Sequence, residues 1–289
     1  MIAQLNWRGI LRQNMTALGD TGSLFRRILV IVAHQDDETA CSILLQRARE
    51  AQVVFATDGA PASEFFWGRY GSRDKYAAVR RTEALQALGV IGIEHAIFLQ
   101  DGDSGVTFHD QELYLSLPSA TRALAELAGQ FKPDALVTPA YEGGHPDHDA
   151  CSFLASAVGH SLSIPTWEMP LYNRSPNGTL VHQQFRIPLD GEIVFYPTEL
   201  ELRRRDEMLS KYVSQPDASQ FVSAQVERFR PQPSYDYSQP PHPGPLNYEA
   251  WGWLMTGTEL CSAFQSCTES WLPFSSQNYR KRSHRQVAG

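Results

Sequence analysis

Short apolar runs and stretches with helical periodicity alternate along the first 164 residues. The apolar runs are rich in Ile, Leu and Val, which is typical of parallel strands that are buried on both faces. They predict strands at 28–33, 53–57, 95–99 and 134–139. The periodic stretches predict helices at 38–51, 76–89, 113–131 and 150–160. This alternation predicts parallel βαβ units in an α/β fold.

The pattern changes after residue 164, where strands and helices no longer alternate. Two further strands are predicted at 166–172 and 180–187. A helix is predicted over 198–213, because Thr198 and Glu201 have the spacing of a capping box. This part of the chain is therefore expected to differ in topology from the first half.

Proline content and position suggest how the chain is divided. Residues 229–247 are rich in Pro, Tyr and Gln, so we predict neither a central strand nor a helix there. We expect residues 25–164 to form the core and residues 1–24 to pack on it as an N-terminal extension. Residues 165–289 are expected to pack on the core within the same domain and to complete its cleft.

The first predicted strand ends in a dense group of ionisable side chains. His34, Asp36, Asp37 and Glu38 occupy four of five consecutive positions. Ligands of open α/β sheets bind beyond the carboxyl ends of the strands, and packed carboxylates repel one another unless a cation or a proton intervenes. Two hypotheses follow: either Asp36 or Asp37 only caps the next helix, or the group binds a metal ion.

A second group of similar chemistry follows the predicted strand at 134–139. His145 and His148 are three positions apart, with Asp147 between them and two glycines before them. A lone histidine is more often a structural residue, but here two strand ends each carry His and Asp. Imidazole and carboxylate together form the ligand set that zinc favours when one position stays open for water. The two groups therefore predict a metal site.

Composition and charge argue against several classes of protein. The 289 residues are 42% hydrophobic and 20% charged, which is ordinary for a soluble globular protein, and the net charge of −7 argues against a nucleic-acid surface. We see no leader segment and no apolar run long enough to span a membrane. The four cysteines show no paired spacing, which fits a reducing compartment. We therefore expect a cytoplasmic protein without a membrane span.

The two motifs resemble those of the LmbE-like (PIG-L) deacetylases, and the resemblance covers residues 27–160. His34-Gln-Asp-Asp-Glu38 is similar to the family's His-Pro-Asp-Asp-Glu motif, and His145-Pro-Asp-His148 is similar to its second motif. Gln35 replaces the usual proline at a position that acts as a spacer. The resemblance implies a Rossmann-like fold, with a mostly parallel sheet and flanking helices. It also implies metal-dependent N-deacetylation of N-acetylglucosamine conjugates.

The resemblance assigns metal-binding and catalytic roles to residues of both motifs. His34, Asp37 and His148 would bind the metal, which we expect to be zinc, with iron(II) as the alternative. Asp36 would act as the general base on the attacking water.

Oxyanion stabilisation is assigned to the second motif. As an imidazolium, His145 would stabilise the tetrahedral oxyanion and protonate the departing amine. Asp147 would orient His145 and raise its pKa.

Sugar recognition is expected from residues outside the two motifs. Arg80 and Asp103 match family positions that contact the sugar, although an Arg80–Glu83 ion pair on a helix surface is the alternative for Arg80. The aromatic-rich residues 62–76 are either a local hydrophobic cluster or a wall that stacks on the sugar.

Amide hydrolysis on an amino-sugar conjugate is the function that these features predict. The expected reaction releases acetate and a free amine from a small-molecule N-acetylglucosamine conjugate. One alternative is an amidase of the same fold that acts on another amide, such as a thiol conjugate. The other is a non-catalytic sugar- or metal-binding protein, although metal binding alone requires neither Asp36 nor His145. We expect no nucleic-acid partner, and a homo-oligomer is left open.

Overall fold

The computed structural model describes residues 25–101, 105–222 and 225–270, and for residues 218 and 219 it describes the backbone alone. The predicted N-terminal extension, residues 1–24, and the predicted sugar contact Asp103 lie outside the described residues. Within the described ranges, no helix combines the length and the apolar character needed to cross a membrane.

A seven-stranded sheet forms the centre of the molecule. Together with a separate two-stranded hairpin, the described strands are β1 Arg27–Val32, β2 Glu50–Phe55, β3 Ile97–Phe98, β4 Ala135–Pro139, β5 Thr166–Met169, β6 Tyr172–Arg174, β7 Leu180–His182, β8 Ile193–Phe195 and β9 Glu227–Pro231. The sheet order is β3-β2-β1-β4-β5-β9-β8, and β6 pairs with β7 as a separate hairpin. The pairs from β3 to β5 are parallel, whereas β9 is antiparallel to both of its neighbours.

Helices flank the sheet on both faces. They span Ser42–Arg47, Glu64–Trp67, Arg73–Val90, Leu117–Phe131, Pro146–Leu162, Glu199–Ser210, Ala218–Phe221, Asn247–Ala250 and residues 257–270. Short 3-10 turns lie at Asp37–Cys41, Gly68–Tyr70, Leu99–Asp101 and Leu113–Ser116. Alternate residues of β1 enter different cores, with Leu29 and Ile31 in one buried cluster and Ile28 and Val30 in the other. The predicted α/β, Rossmann-like sheet is confirmed.

Several sequence-based element predictions were wrong in extent, among them the predicted strand at 180–187, which ends at His182. The predicted helix at 38–51 stops at Arg47, because Ala48 is extended and Glu50 already begins β2. The predicted strand at 166–172 is two strands, β5 and β6. Pro170 separates them and has no backbone N–H for a sheet ladder. The predicted helix at 150–160 starts at Pro146, inside the second motif.

The Pro-rich segment also differs from its prediction at its start. Residues 229–231 belong to β9, which lies between β5 and β8 in the sheet, so the exclusion of a central strand was wrong there. Pro231 is tolerated because it lies beyond Phe229, the last residue that pairs with β8, so its missing N–H leaves that ladder intact. The helix over residues 257–270 was not predicted; it contributes Leu260 and Phe264 to one of the two cores.

Candidate active site

The two motifs meet at the point where the strand order of the sheet changes direction, between β1 and β4. β1 and β4 are parallel neighbours, so the residues that follow them emerge at the same edge, where the strand order switches direction. The ring centroids of His34 and His145 are 4.4 Å apart, those of His34 and His148 are 5.3 Å apart, and those of His145 and His148 are 5.1 Å apart. One nitrogen from each ring lies within 4.8 Å of the other two. Residues more than a hundred positions apart thus share one buried site.

Asp37 lies against two of these imidazoles. Its Oδ1 is 3.2 Å from His148 Nε2, and its Oδ2 is 3.4 Å from His34 Nδ1. Oδ2 also accepts the backbone N–H of His34 at 2.8 Å. Burial raises the pKa of Asp37, but His148 and His34 outweigh burial and hold the pKa well below its ordinary value. The three residues predicted as metal ligands are therefore adjacent.

Asp110 is a member of the cluster that sequence analysis missed. Its Oδ1 lies 3.2 Å from His34 Nε2 and 3.5 Å from His145 Nε2, yet this buried oxygen has no hydrogen bond among the described residues. Burial raises the pKa of Asp110, but the two imidazoles outweigh burial and lower it well below its ordinary value. Asp110 follows β3 in an irregular loop and belongs to no motif. Only its position downstream of a strand's carboxyl end could have suggested it.

The donor set fits a divalent metal ion. Imidazoles and carboxylates converge in a buried space, and an orphaned carboxylate oxygen faces two of the rings. Buried carboxylates are unfavourable unless a cation or hydrogen bonds compensate them. Two sets are close enough for one ion: His34 with His145 and His148, and His34 with Asp110, His145 and Asp147. The geometry thus brings His145 as near as the predicted ligands.

His145 and Asp147 are oriented differently from the prediction. The backbone N–H of Asp147 donates to His145 Nδ1 at 3.1 Å, whereas the Asp147 carboxylate is closer to His34 Nε2, at 3.2 Å, than to His145 Nδ1, at 4.0 Å. Because Nδ1 accepts a hydrogen bond, neutral His145 carries its proton on Nε2. Burial and the neighbouring His34 lower the pKa of His145. Asp147 raises this pKa, as predicted, but burial and His34 outweigh it, so the net shift is downward.

Asp36 occupies an unusual backbone conformation beside the cluster. Its φ of 137° is rare for a residue other than glycine, and such strain is tolerated only where neighbouring contacts enforce it. Glu38 accepts the Asp36 backbone N–H at 3.0 Å and also accepts the hydroxyl of the buried Tyr212. Burial, which outweighs the neighbouring Arg80, raises the pKa of Asp36 to about 7. The Asp36 side chain remains 20% exposed, so a substrate can reach it.

Arg80 stabilises the backbone of the first motif through hydrogen bonds. Its guanidinium donates to the carbonyl oxygens of Gln35 and Gly59 and lies 3.2 Å from Asp36 Oδ1. The alternative of a surface ion pair with Glu83 is wrong, because Arg80 is buried and Glu83 accepts hydrogen bonds from Ser214. The predicted sugar contact of Arg80 stays a prediction.

Gln35 is more than the spacer that the motif suggested. Its side-chain amide donates to the carbonyl oxygen of Thr57 at 2.9 Å, which fastens the motif to the end of β2. A Cβ at Gly59 would lie 2.1 Å from Gln35 Oε1, and Gly59 has a φ of +66°. A side chain at position 59 would thus adopt a strained backbone conformation and displace the Gln35 amide.

Some of the aromatic residues in 62–76 pack in a local hydrophobic cluster, whereas others are exposed. Tyr76 is buried, and its ring centroid lies 5.0 Å from that of Tyr70, as expected of a local cluster. Phe65 is 89% exposed and contacts only Phe66 among the described rings. A sugar-stacking role for this segment stays a prediction.

Comparison with known proteins agrees with this fold and with the family resemblance of the two motifs. The family model described as PIG-L, GlcNAc-PI de-N-acetylase, matches residues 29–158, so this segment of the chain is similar to a PIG-L domain. It contains both motifs, and the predicted family resemblance is confirmed. A search of curated proteins found no match.

Solved structures share the fold at low sequence identity. The zinc-inhibited form of the teicoplanin deacetylase Orf2 is 19% identical over 73% of this chain and 99% of its own, with a TM-score of 0.56. The N,N'-diacetylchitobiose deacetylase of Pyrococcus horikoshii is 19% identical over 78% of this chain and 90% of its own, with a TM-score of 0.52. GalB, the 4-carboxy-2-hydroxymuconate hydratase of Pseudomonas putida, is 14% identical over 73% of this chain and 99% of its own, with a TM-score of 0.50. The fold therefore occurs with more than one chemistry.

Proposed function

We propose that this protein is a metal-dependent hydrolase that removes the N-acetyl group of an N-acetylglucosamine-type conjugate. The observation that carries the proposal is the convergence of both motifs on one buried site, with imidazole nitrogens within 4.8 Å of one another. The match to the PIG-L family model supports the same class of reaction. Two of the structurally similar proteins are deacetylases, which adds further support.

The metal would be held by His34, Asp37 and His148. We expect zinc, and iron(II) suits the same ligands. When bound, such an ion polarises the amide carbonyl and makes the attacking water more acidic. Asp147 and Asp110 lie against His34 Nε2 and would orient this ring as ligand-supporting carboxylates do.

Asp36 would move the proton. Arg80 contacts the Asp36 carboxylate, and Glu38 accepts the Asp36 backbone N–H. The Asp36 side chain is also partly exposed to solvent. In the proposed reaction it accepts a proton from the attacking water and delivers that proton to the departing amine nitrogen. The C–N bond breaks as the new C–O bond is retained, which yields acetate and the free amine.

His145 would stabilise the negative charge that develops on the carbonyl oxygen. Because its Nδ1 is occupied by the Asp147 backbone N–H, its Nε2–H is the group available for donation. A donor held in place before the reaction lowers the barrier more than one that must reorient. This role requires neutral His145, in agreement with its lowered pKa.

An amidase that acts on a different amide is the second candidate. The teicoplanin deacetylase and the chitobiose deacetylase share this fold at about the same identity, so the fold does not select the group attached to the sugar. A non-catalytic binding protein is disfavoured by the placement of Asp36 and His145, which metal binding alone would not require.

Amine release by the purified, zinc-loaded protein tests the proposal. N-acetylglucosamine glycosides, thiol conjugates and long-chain N-acyl sugars are compared with and without a chelator. We expect chelator-sensitive release from the N-acetyl sugars. The Asp36→Asn variant should lose on the order of a hundredfold or more of this activity, as expected for removal of a general base. The exposed Asp74 on helix Arg73–Val90 supplies the control, and Asp74→Asn should retain activity.

The outcomes of this assay separate the candidates. Release only from thiol conjugates or long-chain amides would replace the first candidate with the second. The absence of release from every substrate, despite bound metal, would overturn both.

A further inference from the structure

Aromatic rings outside the segment that matches the PIG-L model continue from the site imidazoles towards solvent. The ring centroids of Trp253 and His145 are 4.8 Å apart, and those of Trp251 and Trp253 are 5.2 Å apart. Tyr172 lies 5.3 Å from His148 and 6.0 Å from Trp251. Since His145 and His148 also contact each other, the five rings form a closed circuit. We call Tyr172, Trp251 and Trp253 the aromatic wall.

The aromatic wall is not part of a sealed core. Trp251 is 40% exposed and the nearby Leu254 is 100% exposed, whereas Trp253 and Tyr172 are half-buried. Large apolar side chains exposed next to a polar cleft are typical of ligand-binding surfaces. An apolar group that covered these rings would remove them from water, which favours binding.

The tryptophan segment is firmly anchored to the second motif. Asn247 donates its backbone N–H to the carbonyl oxygen of Gly143 at 2.8 Å and its side-chain amide to that of Gly144 at 3.1 Å. The buried Tyr248 donates to Asp149, and its carbonyl oxygen accepts the Trp253 backbone N–H at 3.0 Å. The rings are therefore positioned before any substrate arrives, which lowers the entropic cost of binding.

Tyr172 is fixed in the same way from the other side. Its carbonyl oxygen would lie 2.0 Å from a Cβ at position 144, so only glycine permits β6 to approach the second motif so closely. Its hydroxyl forms no hydrogen bond with another described residue. Tyr172 therefore presents its ring next to His148.

We propose that the aromatic wall is a subsite for a large apolar substituent, preferably an aromatic one, attached to the acylated amino sugar close to the scissile amide. The inference rests on the proposed function, because the wall begins at the imidazoles assigned to the reaction. The substituent can belong to the aglycone or to the acyl group, since both leave the sugar close to the amide. Among the described aromatic residues, the exposed pair Phe65 and Phe66 makes no ring contact with the circuit.

Kinetics with matched substrates test the subsite. The first pair is the phenyl and methyl glycosides of N-acetylglucosamine, and the second is N-phenylacetyl and N-acetyl glucosamine methyl glycosides. In one pair, the aryl member should have a KM lower by about tenfold, which is the gain typical of burying one aromatic face. Trp251→Ala should remove this preference, and Trp251→Phe should restore most of it. The ratio within a pair does not depend on the fraction of folded enzyme.

The control and a binding measurement separate this inference from the proposed function. Tyr196→Ala removes an exposed ring that contacts none of the circuit, and it should leave the preference unchanged. Binding of phenyl and methyl glucosaminides, which carry no amide, is measured by calorimetry with the same variants. A Trp251-dependent preference for the phenyl compound without hydrolysis would retain the subsite and reject the deacetylase. Equal KM values and equal affinities within every pair, or a preference that Trp251→Ala leaves intact, would overturn the subsite.

Discussion

The two sides of the candidate site are built from opposite kinds of sequence. The motif side places His34, Asp37 and His148 within two short stretches at one edge of a parallel sheet, and nearly every polar atom is buried. The aromatic wall joins a β-hairpin strand and a turn about 80 residues later, and it is partly exposed. Chemistry is therefore encoded in contiguous motifs, whereas the proposed selectivity depends on contacts between distant segments.

The close contact between Gly144 of the motif side and Tyr172 of the aromatic wall is the point where we expect mutation to have the largest effect. Gly144 precedes His145, and a Cβ there would lie 2.0 Å from the Tyr172 carbonyl oxygen. We expect Gly144→Ala to lower the free energy of unfolding by about 1–3 kcal/mol or more, as overpacking does, and to lower activity by displacing His145. Urea unfolding and amine release measure the two effects.

Gly129→Ala is the matched control for that substitution. Gly129 lies in helix Leu117–Phe131, and a Cβ there meets no atom within 4 Å. It should leave stability unchanged or raise it slightly, because alanine favours helices. Equal effects of the two substitutions on stability would contradict a close steric contact at Gly144.

A smaller effect on stability is expected from the contact between β9 and the helix Ser42–Arg47, which follows the first motif. Glu227, at the start of β9, accepts the backbone N–H groups of Ile43 and Leu44 at 2.7 and 3.0 Å and so caps the helix that follows the first motif. Burial raises the pKa of Glu227 from 4.5 to about 8, despite these hydrogen bonds. Between these two pH values the folded protein keeps a proton that the unfolded chain has lost. Stability should therefore fall as the pH rises from 4.5 to 8, by at most about 1.4 kcal/mol per pH unit for this group.

Chemical unfolding at several pH values tests this contribution. Glu227→Gln, which does not titrate, should decrease the slope of stability against pH. The exposed Glu199 offers a comparison, and Glu199→Gln should keep the wild-type slope. If Glu227→Gln also kept the wild-type slope, the carboxyl would not be protonated in the folded protein at neutral pH.

The same contrast explains what the sequence could predict. β1 and β4 were found because buried parallel strands are continuous apolar runs, and both motifs were found because they follow those runs directly. Helix 38–51 was predicted too long, because its end depends on where the chain turns to join the sheet as β2.

Asp110 and the aromatic wall were missed for a related physical reason. Asp110 reaches the site from an irregular loop, and Trp251 and Trp253 reach it because Asn247 is bound to the second motif. No local periodicity records such tertiary contacts. The proton position on His145 likewise depends on a backbone N–H that only the folded geometry supplies.

Metal content of two variants tests the central claim most directly, because the proposed ligand set contains Asp37, whereas both compact donor sets contain His145 in its place. The account predicts that Asp37→Ala binds less than one tenth of the metal held by the wild-type protein, about one ion per chain, by plasma mass spectrometry. It predicts that His145→Ala retains its metal while losing amine release. Loss of metal in His145→Ala together with full retention in Asp37→Ala would contradict the assigned ligands and, with them, the proposed roles of both residues.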